Sequence, residues 1–241
     1  MNSLGYVFIP GGAMSSWVWK DLDHRFQTNA VLIRGRLKEN NYQNRIHASL
    51  ADCVDHIEER IIQAGYKRVI IVAHSGGGLL APLVAKRTKV KVEKIVFVSA
   101  NIPKHGTSTL QNLPILVRLI NKIAAKKQMK TDFTPACKME KVIRKIFCNT
   151  ASEEVIEYVL QQQLITEPLC VFYEKADWNA VPRIPMAFIR LLNDKMASLK
   201  LQDRMAANLD ISEKYDIDSD HMVMLSHPKQ FNEVLNFAFA K

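Results

Sequence analysis

Short apolar runs separated by turn residues dominate the first hundred positions. Gly5 to Ile9 is apolar, β-branched or aromatic and stops at Pro10-Gly11-Gly12, which predicts a buried strand running into a tight turn. Ala30 to Arg34 predicts a second strand. From Leu50 the apolar positions fall at Leu50, Val54, Ile57 and Ile61, the spacing of one helix face, and Gly65 supplies a C-terminal cap. Arg68 to Ala73 is apolar on both faces, as a central parallel strand covered by helices must be. It passes through His74-Ser75-Gly76-Gly77-Gly78 into a helix containing Leu79, Leu80, Leu83 and Val84, and Lys94 to Ser99 predicts a fourth strand. Alternating strands and helices build a parallel sheet with right-handed crossovers.

The alternation then stops. From Asn101 to Arg183 the pattern predicts no strand, only amphipathic helices: Leu113, Leu116, Ile120 and Ile123, then Met139, Ile143 and Ile146, then Val155, Tyr158, Val159 and Ile165. Thr150 with Glu153 three residues on reads as a capping box for the last of these. Pro182 and Pro185 flank the return to sheet, where Met186 to Leu192 predicts a strand, Ala197 to Leu209 a helix and Glu213 to Ile217 a final strand. Pro228 suits the first turn of a terminal helix. The expected class is α/β: a mostly parallel central sheet flanked by helices, its core formed by 1–100 and 184–241, with a helical cap inserted over 101–183.

Composition narrows the class. With 241 residues, 48% hydrophobic and 24% charged, the chain sits near the averages of a globular domain, which excludes disorder, collagen-like repeats and a disulfide-built miniprotein. No apolar run approaches the roughly 18 residues of a membrane span, and Met1 leads into the first strand without a basic region or cleavage site, so the expected location is the cytoplasm. Cys53, Cys137, Cys148 and Cys170 have no paired spacing and read as reduced packing residues, with no metal site implied. The net charge is +9, and nine Lys/Arg against Asp132 and Glu140 put +7 of it between Arg118 and Lys145. Phe133 is the only aromatic there, so a solvated helix face is expected rather than a nucleic-acid platform.

Open parallel sheets bind ligands beyond the C-terminal ends of their strands. Three polar residues stand there: Ser75, Asp194 and His221. A serine nucleophile between strand and helix occupies a strained turn that only small neighbours permit, and Ala73 and Gly77 give A-x-S-x-G where G-x-S-x-G is usual. The competing reading is a Gly-rich turn that merely packs closely or binds phosphate, but no G-K-[ST] follows as a P-loop requires. A hydroxyl needs a base, for which His221 is the candidate, and a carboxylate to fix the base's tautomer, for which Asp194 is the candidate. Asp216, Asp218 and Asp220 are alternatives, though all lie close in sequence to His221. His74 is expected to shape the pocket, His227 to serve the start of the last helix, and His24, His47 and His56 fall in early loop or helical regions. The oxyanion donors expected are the backbone N–H of Gly76 and one from Pro10–Ala13, with Gly12 preferred and Ala13 the alternative.

These motifs resemble the α/β-hydrolase family, and in particular the branch of plant methylesterases, hydroxynitrile lyases and their bacterial relatives. The marks are P-G-G-A-M-S-S-W-V-W from Pro10 to Trp19, similar to a family H-G-x-x-x-G-x-W-x-W loop, A-H-S-G-G-G from Ala73 to Gly78, N-D-K from Asn193 to Lys195, and D-H-M-V-M-L-S-H-P from Asp220 to Pro228. The resemblance puts the acid on Asp194 and the base on His221, and it departs at Pro10, where relatives often have His. Cyanohydrin-cleaving members carry Lys directly after the base, whereas this chain has Met222. The resemblance therefore implies a cofactor-independent serine hydrolase that cleaves a small, largely apolar carboxylic ester through an acyl-enzyme. A hydroxynitrile lyase and a non-catalytic small-molecule receptor on the same fold are the alternatives. No nucleic-acid partner is expected, and a homodimer is left open.

Overall fold

The computed structural model describes residues 4–113, 118 and 131–240. Its strands in chain order are β1 (Leu4–Ile9), β2 (Ala30–Leu32), β3 (Arg68–His74), β4 (Lys91–Val98), β5 (Phe133–Pro135), β6 (Gln163–Ile165), β7 (Met186–Leu191) and β8 (Glu213–Ile217). Six of them form one sheet in the order β2-β1-β3-β4-β7-β8, with every pairing parallel. The predicted class and the core strands are therefore present.

Why β3 is apolar at successive positions is visible in its packing. Val69, Ile71 and Ala73 face a cluster shared with Val54 and Ile57 of the Leu50–Gln63 helix and Leu80 and Val84 of the Leu80–Arg87 helix. Ile70 and Val72 face the opposite cluster, which holds Trp19 and, from the Pro228–Ala240 helix, Phe231 and Leu235. Burial on both sides of the sheet removes the polar alternation that a half-exposed strand would show. The Leu50–Gln63 helix starts at a Ser49–Asp52 capping box and ends before Gly65, whose φ of +74° is the left-handed turn a glycine accommodates.

The region between β4 and β7 departs from expectation. Phe133–Pro135 and Gln163–Ile165 form a small antiparallel pair where no strand was predicted. Three-residue strands are too short to carry a period. Thr150 makes no capping box; the Glu153–Leu160 helix is capped by Ser152, whose side chain accepts the Val155 N–H. The run from Met139 to Ile146 winds as a short α-helix, Glu140–Val142, followed by a π turn, Ile143–Phe147. The helix expected at Leu116, Ile120 and Ile123 lies outside the described residues. Within the described part of the basic stretch, Lys138, Lys141 and Lys145 are exposed and Arg144 reaches Glu140, Glu153 and Glu157, consistent with a solvated face. Cys53, Cys148 and Cys170 are buried as expected, but Cys137 is exposed. No helix among the described residues is long and apolar enough to cross a membrane.

The sheet order places the site. β1 lies between β2 and β3, so the chain proceeds to one side from β1 and to the other from β3, and the crevice opens where their C-terminal ends diverge. The loop leaving β1 and the turn leaving β3 meet backbone to backbone. A Cβ on Gly77 would stand 2.8 Å from the Ile9 carbonyl oxygen and 2.9 Å from that of Pro10, whereas one on Gly12 would meet nothing within 4 Å. Gly77→Ala is expected to lower unfolding free energy by about 1–3 kcal/mol as an overpacked site. Gly12→Ala should stay within about 0.5 kcal/mol, and urea denaturation of the two variants checks both.

Candidate active site

Ser75 is the first residue after β3 and sits at φ +47°, a left-handed conformation that costs of order 1–3 kcal/mol for a non-glycine residue. The turn is held in place by packing: the Ser75 carbonyl accepts the Asn101 N–H at 2.8 Å, and a Cβ on Gly78 would stand 2.7 Å from that of Ala100. The chain then enters the Ser75–Leu79 3₁₀ turn, whose first N–H groups have no acceptor within the turn itself.

The predicted acid and base meet. His221 Nδ1 and Asp194 Oδ2 are 2.6 Å apart, with both side chains essentially buried. The same Oδ2 accepts Ser99 Oγ–H at 2.6 Å, while Oδ1 accepts the N–H groups of Met196 and Ala197 at 2.7 and 2.9 Å. Burial alone would raise the Asp194 carboxyl, but the His221 ring beside it and these donors outweigh that and hold it below its ordinary value. Among the described residues His221 Nε2 is buried without a hydrogen-bond partner, so Ser75 Oγ is not bonded to it, although both residues line one cavity. Such bonds are often long or unformed before a substrate is bound.

The loop bearing His221 is itself tied down. Asp220 Oδ2 accepts the N–H and the hydroxyl of Thr150 at 3.0 Å each, and Oδ1 accepts the Met222 N–H and the Ser226 hydroxyl. His74 is fully buried, and its Nε2 lies 2.9 Å from the His221 carbonyl oxygen, so that nitrogen carries the hydrogen. Burial first, and then the His221 ring, push His74 well below its ordinary range. His227 is elsewhere, with Nδ1 2.9 Å from Ser219 Oγ. Asp218 bonds to the Asn193 side chain and Asp216 to Arg190. His24, His47 and His56 are absent from the cavity lining.

Two expected donors also lie together, since a Cβ on Gly76 would be 3.1 Å from the Gly12 nitrogen. The Gly12 N–H has no hydrogen-bond partner among the described residues, whereas the Ala13 N–H is taken by Glu167 Oε1 at 2.8 Å. The cavity above them has a volume of about 520 Å³, and its wall is mostly apolar, including Met14, Trp17, Met139, Ile143, Phe147 and Leu201. Ser99, Thr150, Arg36 and Glu167 were missed from the sequence. A lone serine at a strand end or an arginine in a loop carries no periodic or motif signal. Among the described residues no group of His, Cys, Asp and Glu is arranged to hold a metal ion.

Comparison with known proteins points in one direction. The pattern of the family described as "Alpha/beta hydrolase family" matches residues 6–234. Methylesterase 18 of Arabidopsis thaliana is 24% identical over 259 residues of alignment, covering 98% of this chain and 97% of the relative. An extracellular alpha/beta-hydrolase from a Paenibacillus species superposes with a TM-score of 0.80 at 20% identity, covering 98% of this chain and 99% of the other. A methylesterase from Arabidopsis does so with a TM-score of 0.73 at 15% identity, covering 99% of each chain.

The two perturbed groups act on stability in separate pH windows. His74 is held below its ordinary value of 6.5, so the unfolded chain binds the extra proton and stability falls as pH drops below 6.5. Asp194 is held below 3.8, so its contribution is present above that value and is lost only as pH falls through the lower folded value. Urea unfolding between about pH 7.5 and 5 should show a slope from His74 of up to about 1.4 kcal/mol per pH unit. His74→Gln should remove it, and an unchanged slope would exclude His74 as its source.

Proposed function

The chain belongs to the alpha/beta hydrolase family, and from that premise we propose that it is a carboxylic ester hydrolase acting through Ser75, His221 and Asp194. One observation carries the reading. A buried imidazole is fixed by a carboxylate on Nδ1 and left unpaired on Nε2, and it lines the same cavity as a serine held in a left-handed turn.

In the proposed reaction Ser75 Oγ attacks the ester carbonyl carbon while its proton passes to His221 Nε2. Asp194 stabilises the imidazolium without taking the proton. The carbonyl oxygen becomes an oxyanion between the N–H groups of Gly76 and Gly12, where each such donor contributes about 3–4 kcal/mol to the transition state. Collapse of the intermediate expels the alcohol, which takes the proton from Nε2. Water then enters, gives its proton to Nε2 and attacks the acyl-enzyme, and the second collapse returns the proton to Ser75. The described residues within 101–183 that line the cavity, Met139, Ile143 and Phe147 among them, act as its cap. Its apolar wall and volume favour a small, uncharged ester with an apolar acyl group, and the methylesterase relatives favour the same chemistry. Met222 directly after His221 offers no cation for a departing cyanide, which favours hydrolysis over cyanohydrin cleavage.

Intact-mass measurement after a fluorophosphonate probe should show one adduct on the native chain and none on Ser75→Ala; equal labelling of both would overturn the nucleophile assignment. With p-nitrophenyl esters, His221→Ala should lower turnover by about a thousandfold or more. His227→Ala should lose far less, and comparable losses would show that the base is misassigned. Cyanide release from a cyanohydrin, without ester turnover, would replace hydrolysis by the lyase reaction.

A further inference from the structure

A buried ion pair lies beside the loop that follows β1 and takes no part in the steps above. Arg36, just beyond β2, is 3% exposed, and Glu167, two residues past β6, is 9% exposed. Arg36 Nε donates to Glu167 Oε2 at 3.1 Å, and Nη2 donates to the Pro10 carbonyl at 2.8 Å. Glu167 Oε1 accepts the Ala13 N–H at 2.8 Å, and the Ala13 carbonyl accepts the Ile165 N–H at 2.8 Å. Both backbone polar groups of Ala13 are thus held from the β6 side, and Ala13 sits at φ +62°.

We propose that Arg36 and Glu167 are positioning residues that clamp this loop, keeping Ala13 left-handed and leaving the Gly12 N–H as the second oxyanion donor. The inference rests on the esterase reading and adds the device that chooses between two adjacent donors. An N–H already bonded to a carboxylate cannot also serve the oxyanion, so Ala13 is withdrawn and the unpaired Gly12 N–H remains beside Gly76. Pro10 brings no polar side chain to the loop, so its anchoring comes from a neighbouring loop and from the segment after β6. The pairing matters electrically as well. Glu167 lines the cavity, and an uncompensated carboxylate there would repel the developing oxyanion, whereas Arg36 cancels its charge. The Arg36 guanidinium also lies close to the hole, because a Cβ on Gly76 would be 3.7 Å from Nη2.

The test separates the loss of the Ala13 contact from the loss of charge. Glu167→Leu removes both, whereas Glu167→Gln loses the charge and retains an oxygen for the Ala13 N–H. On a p-nitrophenyl ester, Glu167→Leu should lower kcat by about 10- to 100-fold, short of deleting a donor outright, with KM within about threefold. Glu167→Gln should remain within about threefold of the native kcat. A trifluoromethyl ketone, which forms an oxyanion on a nucleophilic serine, should lose affinity for Glu167→Leu in step with kcat/KM, while the matching methyl ketone binds unchanged. A native kcat in folded Glu167→Leu, or equal losses in the Gln and Leu variants, overturns the proposal. Where Glu167→Leu does not fold, Arg36→Lys takes its place: a kcat loss with the same ketone selectivity supports the clamp, and neither overturns it. If the native chain neither labels at Ser75 nor turns over esters, the esterase reading fails by itself. The clamp is then decided by hydrogen exchange at the Ala13 amide, which should be slow in the native and Glu167→Gln chains and fast in the Leu or Lys variant. Equal exchange in all of them overturns it.

Discussion

The contact on which the site depends is backbone against backbone, where the carbonyls of Ile9 and Pro10 meet the α-carbon of Gly77 with no room for a side chain between them. That approach locks the loop leaving β1 to the turn leaving β3 and sets Gly12 beside Gly76. Three residues around the cavity hold left-handed conformations through contacts of their own. Ala13, Ser75 and Ser99 all have positive φ, and all line the cavity. Each is over-determined by its surroundings: Ala13 by Glu167 and Ile165, Ser75 by the Asn101 amide, and Ser99 by the Ile189 carbonyl and the Asp194 carboxylate. Strain of this kind persists only where the surrounding structure supplies compensating contacts.

The second organising constraint is the cost of burying Asp194. An isolated carboxylate removed from water is strongly disfavoured, and the fold answers with four hydrogen bonds: from Ser99, His221, Met196 and Ala197. One of these donors is the imidazole whose far nitrogen is free. A single arrangement therefore satisfies the buried charge and orients the His221 ring. The same economy recurs one residue before His221, where Asp220 is satisfied by Thr150 on one oxygen and by Met222 and Ser226 on the other. Thr150 belongs to the long segment between β4 and β7, so that segment helps fix the His221 loop as well as wall the cavity.

How much of this could be read from the chain follows from the kind of signal each residue carries. Inner strands such as β3 were legible because burial on both faces writes a continuous apolar run, and Ser75, Asp194 and His221 stood out as candidates because each is polar at or shortly after the end of a strand. Ser99 also follows a strand, yet one hydroxyl at a strand end is indistinguishable from an ordinary turn residue. Thr150 was misread because a threonine three residues before a glutamate has the local form of a helix cap. Its actual partner is 70 residues away. Arg36 and Glu167 are 131 residues apart and both charged, so the general expectation of exposure concealed them. β5 and β6 escaped because three residues cannot establish a period.

Two of the polar contacts missed from the sequence reach out from the long segment between β4 and β7. Thr150 precedes and Glu167 follows the Glu153–Leu160 helix in the chain, and each reaches a different side of the cavity: Thr150 the loop that bears His221, Glu167 the loop after β1. An insertion that only covered the cavity would need an apolar underside and nothing more. This one also carries hydrogen-bonding groups that hold Ala13 and Asp220, so changes in the segment bear on the geometry of both loops as well as on pocket shape. Water exclusion and alignment are then coupled. The apolar wall lowers the local dielectric, which strengthens the Asp194–His221 interaction and the N–H dipoles of Gly12 and Gly76. The same low dielectric would magnify the penalty of any uncompensated charge, and among the described residues the one acid of the wall is Glu167, so under the proposed reaction its pairing with Arg36 bears on the chemistry of the site as well as on its packing.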